Sequence, residues 1–73
     1  MNIEGKNPVS ELLKSGKSII KIFIQDGAAE KGSGKELLEQ IKSSGVPFVF
    51  ADKNAFRRMS EKGNHQGFIA VTS

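Results

Sequence analysis

The chain reads as an α/β domain, a three-layer α/β/α sandwich around a small, mainly parallel sheet, and three observations predict it. Two short runs dense in β-branched and aromatic residues, "SIIKIFI" and "VPFVFA", are followed near the C-terminus by a third, "GFIAV". Each run is preceded by a stretch with apolar residues at helical spacing, giving the order α-β-α-β-α-β. Strands separated by helices need crossover connections, and crossovers build parallel pairs. The 73 residues, 37% of them hydrophobic, suffice for one core and one domain spanning residues 1–73.

In "EGKNPVSELLKSG", Asn7 is the expected helix N-cap and Pro8 the first helical residue, where a missing N–H costs nothing. Val9, Leu12 and Leu13 lie on one face, and Gly16 stops the helix. The apolar positions from Ile19 to Ile24 are nearly continuous, which suits an interior strand covered on both faces. In "EKGSGKELLEQIKSSG", Ser33 and Glu36 have capping-box spacing, Leu37, Leu38 and Ile41 share a face, and Gly45 ends the helix. "VPFVFA" is a second buried strand, with Pro47 tolerated at its start. Asp52 caps a third helix that turns Ala55, Phe56 and Met59 inward and ends near Gly63, and "GFIAVTS" is the last strand. The chain ends directly on that strand, which suggests a piece of a longer protein. Phe23, Phe48, Phe50, Phe56 and Phe68 all fall on faces that read as core, so they are assigned to packing rather than to base stacking.

Composition removes several function classes. There are no cysteines, which excludes disulfides, thiol chemistry and cysteine-based zinc sites, and fits a reducing, cytoplasmic setting. The N-terminus is too polar for a signal peptide, and the apolar runs fall far short of a bilayer span, so no membrane role is expected. One histidine, without a placed serine or paired carboxylates, gives neither a catalytic constellation nor a metal site, so no catalytic and no metal-binding residues are assigned. The formal net charge of +3 permits an anionic partner without requiring one. Lys53, Arg57, Arg58 and Lys62 are spread by helical spacing and interrupted by Glu61, and read as a solvated helix face.

The loop "DGAAEKGSGKELL", between a strand and a helix, has the context of a phosphate loop but fails both nucleotide fingerprints. Gly34-Lys35 is followed by Glu36 where a Walker loop needs Ser or Thr, and Ala29 stands where its first glycine belongs. Gly32 and Gly34 begin a dinucleotide pattern whose third glycine is replaced by Leu37. A flexible turn into a helix is the reading, and no cofactor site is assigned.

The two ends of the chain carry more. The opening Gly5-x-Asn7-Pro8-Val9 and, at domain-length separation, His65-Gln66-Gly67 just before a strand resemble the substrate-binding domain of the SpoU (TrmH-like) family of RNA 2′-O-ribose methyltransferases. The resemblance spans Ile3 to Val71. It implies a fold similar to the ribosomal and kink-turn-binding proteins, and a structured RNA partner, ribosomal or transfer. It also implies a homodimeric parent enzyme whose S-adenosylmethionine pocket and methyl-transfer residues lie in a knotted C-terminal domain. Nothing in these 73 residues matches that knotted domain, so this fragment is expected to bind no cofactor and to be non-catalytic by itself.

The expected RNA-binding residues are Gly5, Lys6, Asn7, Lys62, Asn64, His65 and Gln66. A helix start offers unpaired N–H groups, Gly5 lets a backbone approach closely, and Lys6 adds charge. The alternative for Asn7 and Pro8 is plain capping. His65 and Gln66, flanked by Lys62, reach RNA through base edges or 2′-hydroxyls, or else they brace their own turn, since Gly63-Asn64 is turn chemistry. Both roles are compatible. Two other functions fit the chain: a stand-alone RNA-binding protein of the ribosomal, kink-turn type, and a domain that mediates protein contacts or spaces a dimer.

Overall fold

The computed structural model describes all 73 residues. Seven elements follow in order: β1 (Asn2–Glu4), α1 (Lys6–Ser15), β2 (Ile19–Gln25), α2 (Gly32–Ser44), β3 (Phe48–Ala51), α3 (Lys53–Met59) and β4 (Phe68–Thr72). The strands form one sheet in the order β1-β4-β2-β3.

The α/β class holds, but the mainly parallel sheet does not. Only β2 and β3 pair in parallel, whereas β4 runs antiparallel to both β1 and β2. The crossover rule applies to β2-α2-β3. It fails for β4 because α3 is followed by a loop, residues 60–67, that carries the chain back to the end of the sheet where β3 finished. From there β4 enters between β1 and β2 in the opposite sense.

Alternation along the strands builds the core. Ile22 faces Ala70 and Phe48 across its two ladders, and Ile24 faces Phe68 and Phe50, so these side chains share one face. Val9 of α1, with Leu37 and Ile41 of α2, covers that face in a cluster that includes Ile22, Ile24, Ala29, Phe68 and Ala70. Ile69, on the opposite pleat, and Phe56 of α3 are fully buried outside that cluster. The sheet's outer edge is less covered than expected: Phe50 on β3 is 52% exposed, and a register shift between Ile19 and Lys21 leaves Ile20 half out.

The helix starts differ from the sequence reading in two of three cases. Asp52 does cap α3, accepting the Ala55 N–H at 2.8 Å. At α1 the cap is Gly5, with φ 108°, so Asn7 and Pro8 fall inside the first turn. At α2 the cap is Lys31, and Ser33 lies too far into the helix to close a capping box with Glu36. Gly16 and Gly45 end α1 and α2 in the left-handed conformation, as their positions require. The third helix stops at Met59 rather than near Gly63, because the Ser60 hydroxyl accepts the Gly63 N–H at 2.9 Å and turns the chain out.

Register fixes what gathers at one end. β1 ends at Glu4 opposite Ile69, β2 ends next to the start of β4, and β3 ends with Ala51 opposite Gln25. The starts of α1 and α3 therefore share that end with the loop 60–67. No helix is long and apolar enough to cross a membrane.

Candidate nucleic-acid interface

β1 is the element that makes the site possible. By pairing with β4 it brings Gly5 against the start of the last strand, where the Gly5 N–H donates to the Phe68 carbonyl at 3.0 Å. The next amide, Lys6 N–H, donates to Gln66 Oε1 at 2.8 Å. A side chain sixty residues away thus takes the capping place left empty by a glycine N-cap. A Cβ on Gly5 would lie 3.3 Å from both Gln66 Oε1 and Pro8 Cδ, so the glycine serves its left-handed φ and this close approach together.

The turn carrying Gln66 is braced from within. Gln66 has φ 53°, unusual for a residue with a side chain, and Gly67 follows at φ 85° with Ala28 pressed against the place where a Cβ would stand. His65 Nδ1 accepts the Gly67 N–H at 2.9 Å, which places the proton of the neutral ring on Nε2. The imidazole packs on Phe56, with ring centroids 5.0 Å apart. Bracing is therefore part of what both residues do. The Gln66 side-chain NH₂ has no partner and its residue is exposed, so it remains free to donate.

Glu4 holds the preceding segment. Its carboxylate accepts from the Ser60 hydroxyl at 2.7 Å and the Glu61 N–H at 2.8 Å, with the Lys62 N–H at 3.4 Å. Burial pushes its carboxyl up, but the Ser60 hydroxyl and the Glu61 and Lys62 N–H donors outweigh it and hold the group below its ordinary value of 4.5. Nothing local in the sequence marks Glu4 as a partner of residues 60–62, because the pairing depends on where β1 lies.

Of the seven residues read from the sequence, Gly5 and Lys6 thus stand against Gln66 and the Asn64 carbonyl, whereas the His65 ring turns away onto Phe56 and Asn7 faces α2, lining a cleft with Ser33 and Gln40. Lys62 joins them through the Glu4 anchor. Asn7, Lys62, Asn64 and Gln66 are exposed, Lys6 and His65 half-buried, and Gly5 buried. The Lys6 ammonium rests on Ser33 Oγ at 3.1 Å, which links this end to α2 and gives Ser33 a role other than capping.

Residues 2–73 match the family model described as RNA 2′-O ribose methyltransferase substrate binding. YacO of Bacillus subtilis (strain 168), whose name describes it as a TrmH family tRNA/rRNA methyltransferase, is 30% identical over 66 residues, which is 90% of this chain. The chain spans 26% of that relative's length. No solved structure matches. With the match running over nearly every residue, including both ends that meet at Gly5 and Gln66, the chain belongs to the substrate-binding domain family of the RNA 2′-O ribose methyltransferases.

Proposed function

We propose that this chain presents a structured RNA, ribosomal or transfer, to the catalytic domain of an S-adenosylmethionine-dependent 2′-O-ribose methyltransferase. The contacting edge is the end of the sheet that carries Gly5, Lys6, Asn7, Asn64, His65 and Gln66. The bond from Lys6 N–H to Gln66 Oε1 carries this reading, because it locks the two sequence-distant segments into one surface. On that surface the exposed amides of Asn7, Asn64 and Gln66 donate to base edges or 2′-hydroxyls, and Lys6 and Lys62 attract phosphate. A three-layer arrangement like that of the ribosomal and kink-turn proteins belongs to the same reading.

No S-adenosylmethionine site is assigned to this chain in the same reading. The glycine-containing loop before α2 folds back on that helix, with Gly34 so close to the Ala28 carbonyl that a Cβ would overlap it. Cofactor binding and methyl transfer are assigned to a knotted domain C-terminal to residues 1–73. Each contact on the edge is a small term, so binding by this chain alone is weak. The affinity of the parent enzyme comes from joining the edge to the catalytic domain and from homodimerisation, which doubles it.

An NMR titration of the labelled chain with a structured RNA hairpin, at low and moderate salt, tests the reading. The expected result is salt-sensitive shifts at residues 5–7 and 62–66. Silence at both segments while the chain still binds RNA elsewhere would overturn the proposed edge and leave His65-Gln66-Gly67 a structural turn.

A further inference from the structure

His65 and Gln66 reach in different directions from one turn: Gln66 caps α1, whereas the imidazole packs on α3. On that second side lies a cleft of about 360 Å³, lined by Gln25, Lys53, Arg57, Ser60, Gly63 and His65 and by no apolar side chain. Lys53 and Arg57, which sequence spacing assigns to a solvated helix face, therefore converge on the histidine; Arg58 does not line the cleft.

Both cations are unpaired. The one ion pair in the molecule joins Lys42 to Glu39, and neither Lys53 nor Arg57 has a side-chain hydrogen bond to any group. Asp52, next in the chain, turns its carboxylate to the Ala55 N–H, and Glu4 spends its own on residues 60–62. The Ser60 hydroxyl is likewise used, donating to Glu4 and accepting from Gly63. Four polar groups of the lining residues have no hydrogen-bond partner within the protein: the Arg57 guanidinium, the Lys53 ammonium, the Gln25 amide and His65 Nε2–H. All four donate, and two carry charge, so the complementary ligand is an anion rich in acceptor oxygens. By contrast, a cleft of about 500 Å³ between α1 and α2 sets Lys14 against Glu39 and has no such excess of positive charge.

We infer that this cleft is a second RNA subsite, holding one phosphodiester between Arg57 and Lys53, with Gln25 and His65 Nε2–H on oxygens of the adjoining ribose. Its volume lies at the low end of the range of about 300–1,000 Å³ typical of ligand sites, enough for one nucleotide and too little for a duplex. With no apolar wall, and with the His65 ring already packed on Phe56, the strand is read through its backbone and not by stacking. The inference rests on the RNA-binding reading above and extends it: the strand passes from the start of α1 across the turn to α3.

The test uses the 73-residue chain with hexauridylate, and with inorganic phosphate as the minimal probe. Both probes should shift the amides of Gln25, residues 53–57 and residues 63–65. Lys53→Gln and Arg57→Gln should each weaken hexauridylate binding about three- to tenfold and lower the salt slope by about 0.7, the value for one single-strand phosphate contact. Both residues are exposed, so the variants should melt with the wild type. If RNA still shifts residues 5–7 while both variants bind with wild-type affinity and slope, the cleft is no subsite and the edge reading stands. Shifts at Gln25 and residues 53–57 with residues 5–7 and 62–66 silent would establish the cleft and overturn the edge. Absence of any RNA-induced shift would overturn both.

Discussion

Replacing Gln66 by alanine removes the side chain that satisfies the first amide of α1, and its effect can be worked from the geometry. Loss of a helix N-cap costs about 0.5–2 kcal/mol, and typically about 1 kcal/mol. The freed Lys6 N–H lies in an exposed setting, so water replaces part of the bond and a value near 1 kcal/mol is expected. For a domain of this size that corresponds to a fall of about 4–8 °C in Tm. Glycine at the same position also loses the cap, but it relieves the left-handed φ of 53°, which costs a residue with a side chain about 1–2 kcal/mol. Glycine's greater chain entropy takes back about 0.5–1 kcal/mol of that relief. Gln66→Gly should therefore be milder than Gln66→Ala by about 0.5 kcal/mol, an inversion of the usual order. Thermal and urea melts of the three proteins, with the Lys6 amide resonance followed by NMR, read both effects. A Gln66→Ala protein melting within about 1 °C of the wild type, with the Lys6 amide unmoved, would refute the capping role.

Two further outcomes follow from the packing and the electrostatics. Ile22 is fully buried at the centre of the sheet, so Ile22→Ala should cost about 2–5 kcal/mol by urea melt, a large share of what a domain this small possesses; a loss below about 0.5 kcal/mol would show that β2 is not central. Glu4 is depressed below its ordinary value of 4.5, so the stability it contributes is present in full above that pH and is lost as pH falls below it, through the folded-state value. The wild type should accordingly exceed Glu4→Gln in Tm at neutral pH and converge on it in acid; a constant gap across that range would show that the carboxylate charge contributes nothing.

The helices and three of the strands were legible because each has a strong local signal: the apolar run from Ile19 to Ile24, the Leu37 and Ile41 face, the Asp52 cap. β1 was not, since Asn2, Ile3 and Glu4 include a single apolar residue, and its identity as a strand comes from pairing with β4. Sheet direction is hidden from the sequence for a related reason. An apolar strand records burial but not sense, and the return of the chain through residues 60–67 is a tertiary matter. The seven candidate RNA-binding residues were found through family likeness and helix-start chemistry. The bonds that join them were hidden, because Gln66 to Lys6 and Glu4 to Ser60 each span more than fifty residues of sequence. Helical spacing assigns Lys53 and Arg57 to a solvated face, because it says where a side chain leaves its helix but not which loop lies opposite.

The most direct test of an RNA-binding end is a pair of charge-matched variants measured by fluorescence anisotropy with a structured RNA, from about 50 mM to about 200 mM salt. Lys6→Gln with Lys62→Gln removes two positive charges at the proposed edge. Lys14→Gln with Lys17→Gln removes two at the far end of α1, and both proteins fall from a formal +3 to +1. An interface at the Gly5–Gln66 end predicts that the first pair loses about tenfold in affinity and about two in salt slope, while the second stays within about twofold of the wild type. Equal losses in both pairs would mean that RNA responds to net charge alone, and would contradict a defined interface at that end.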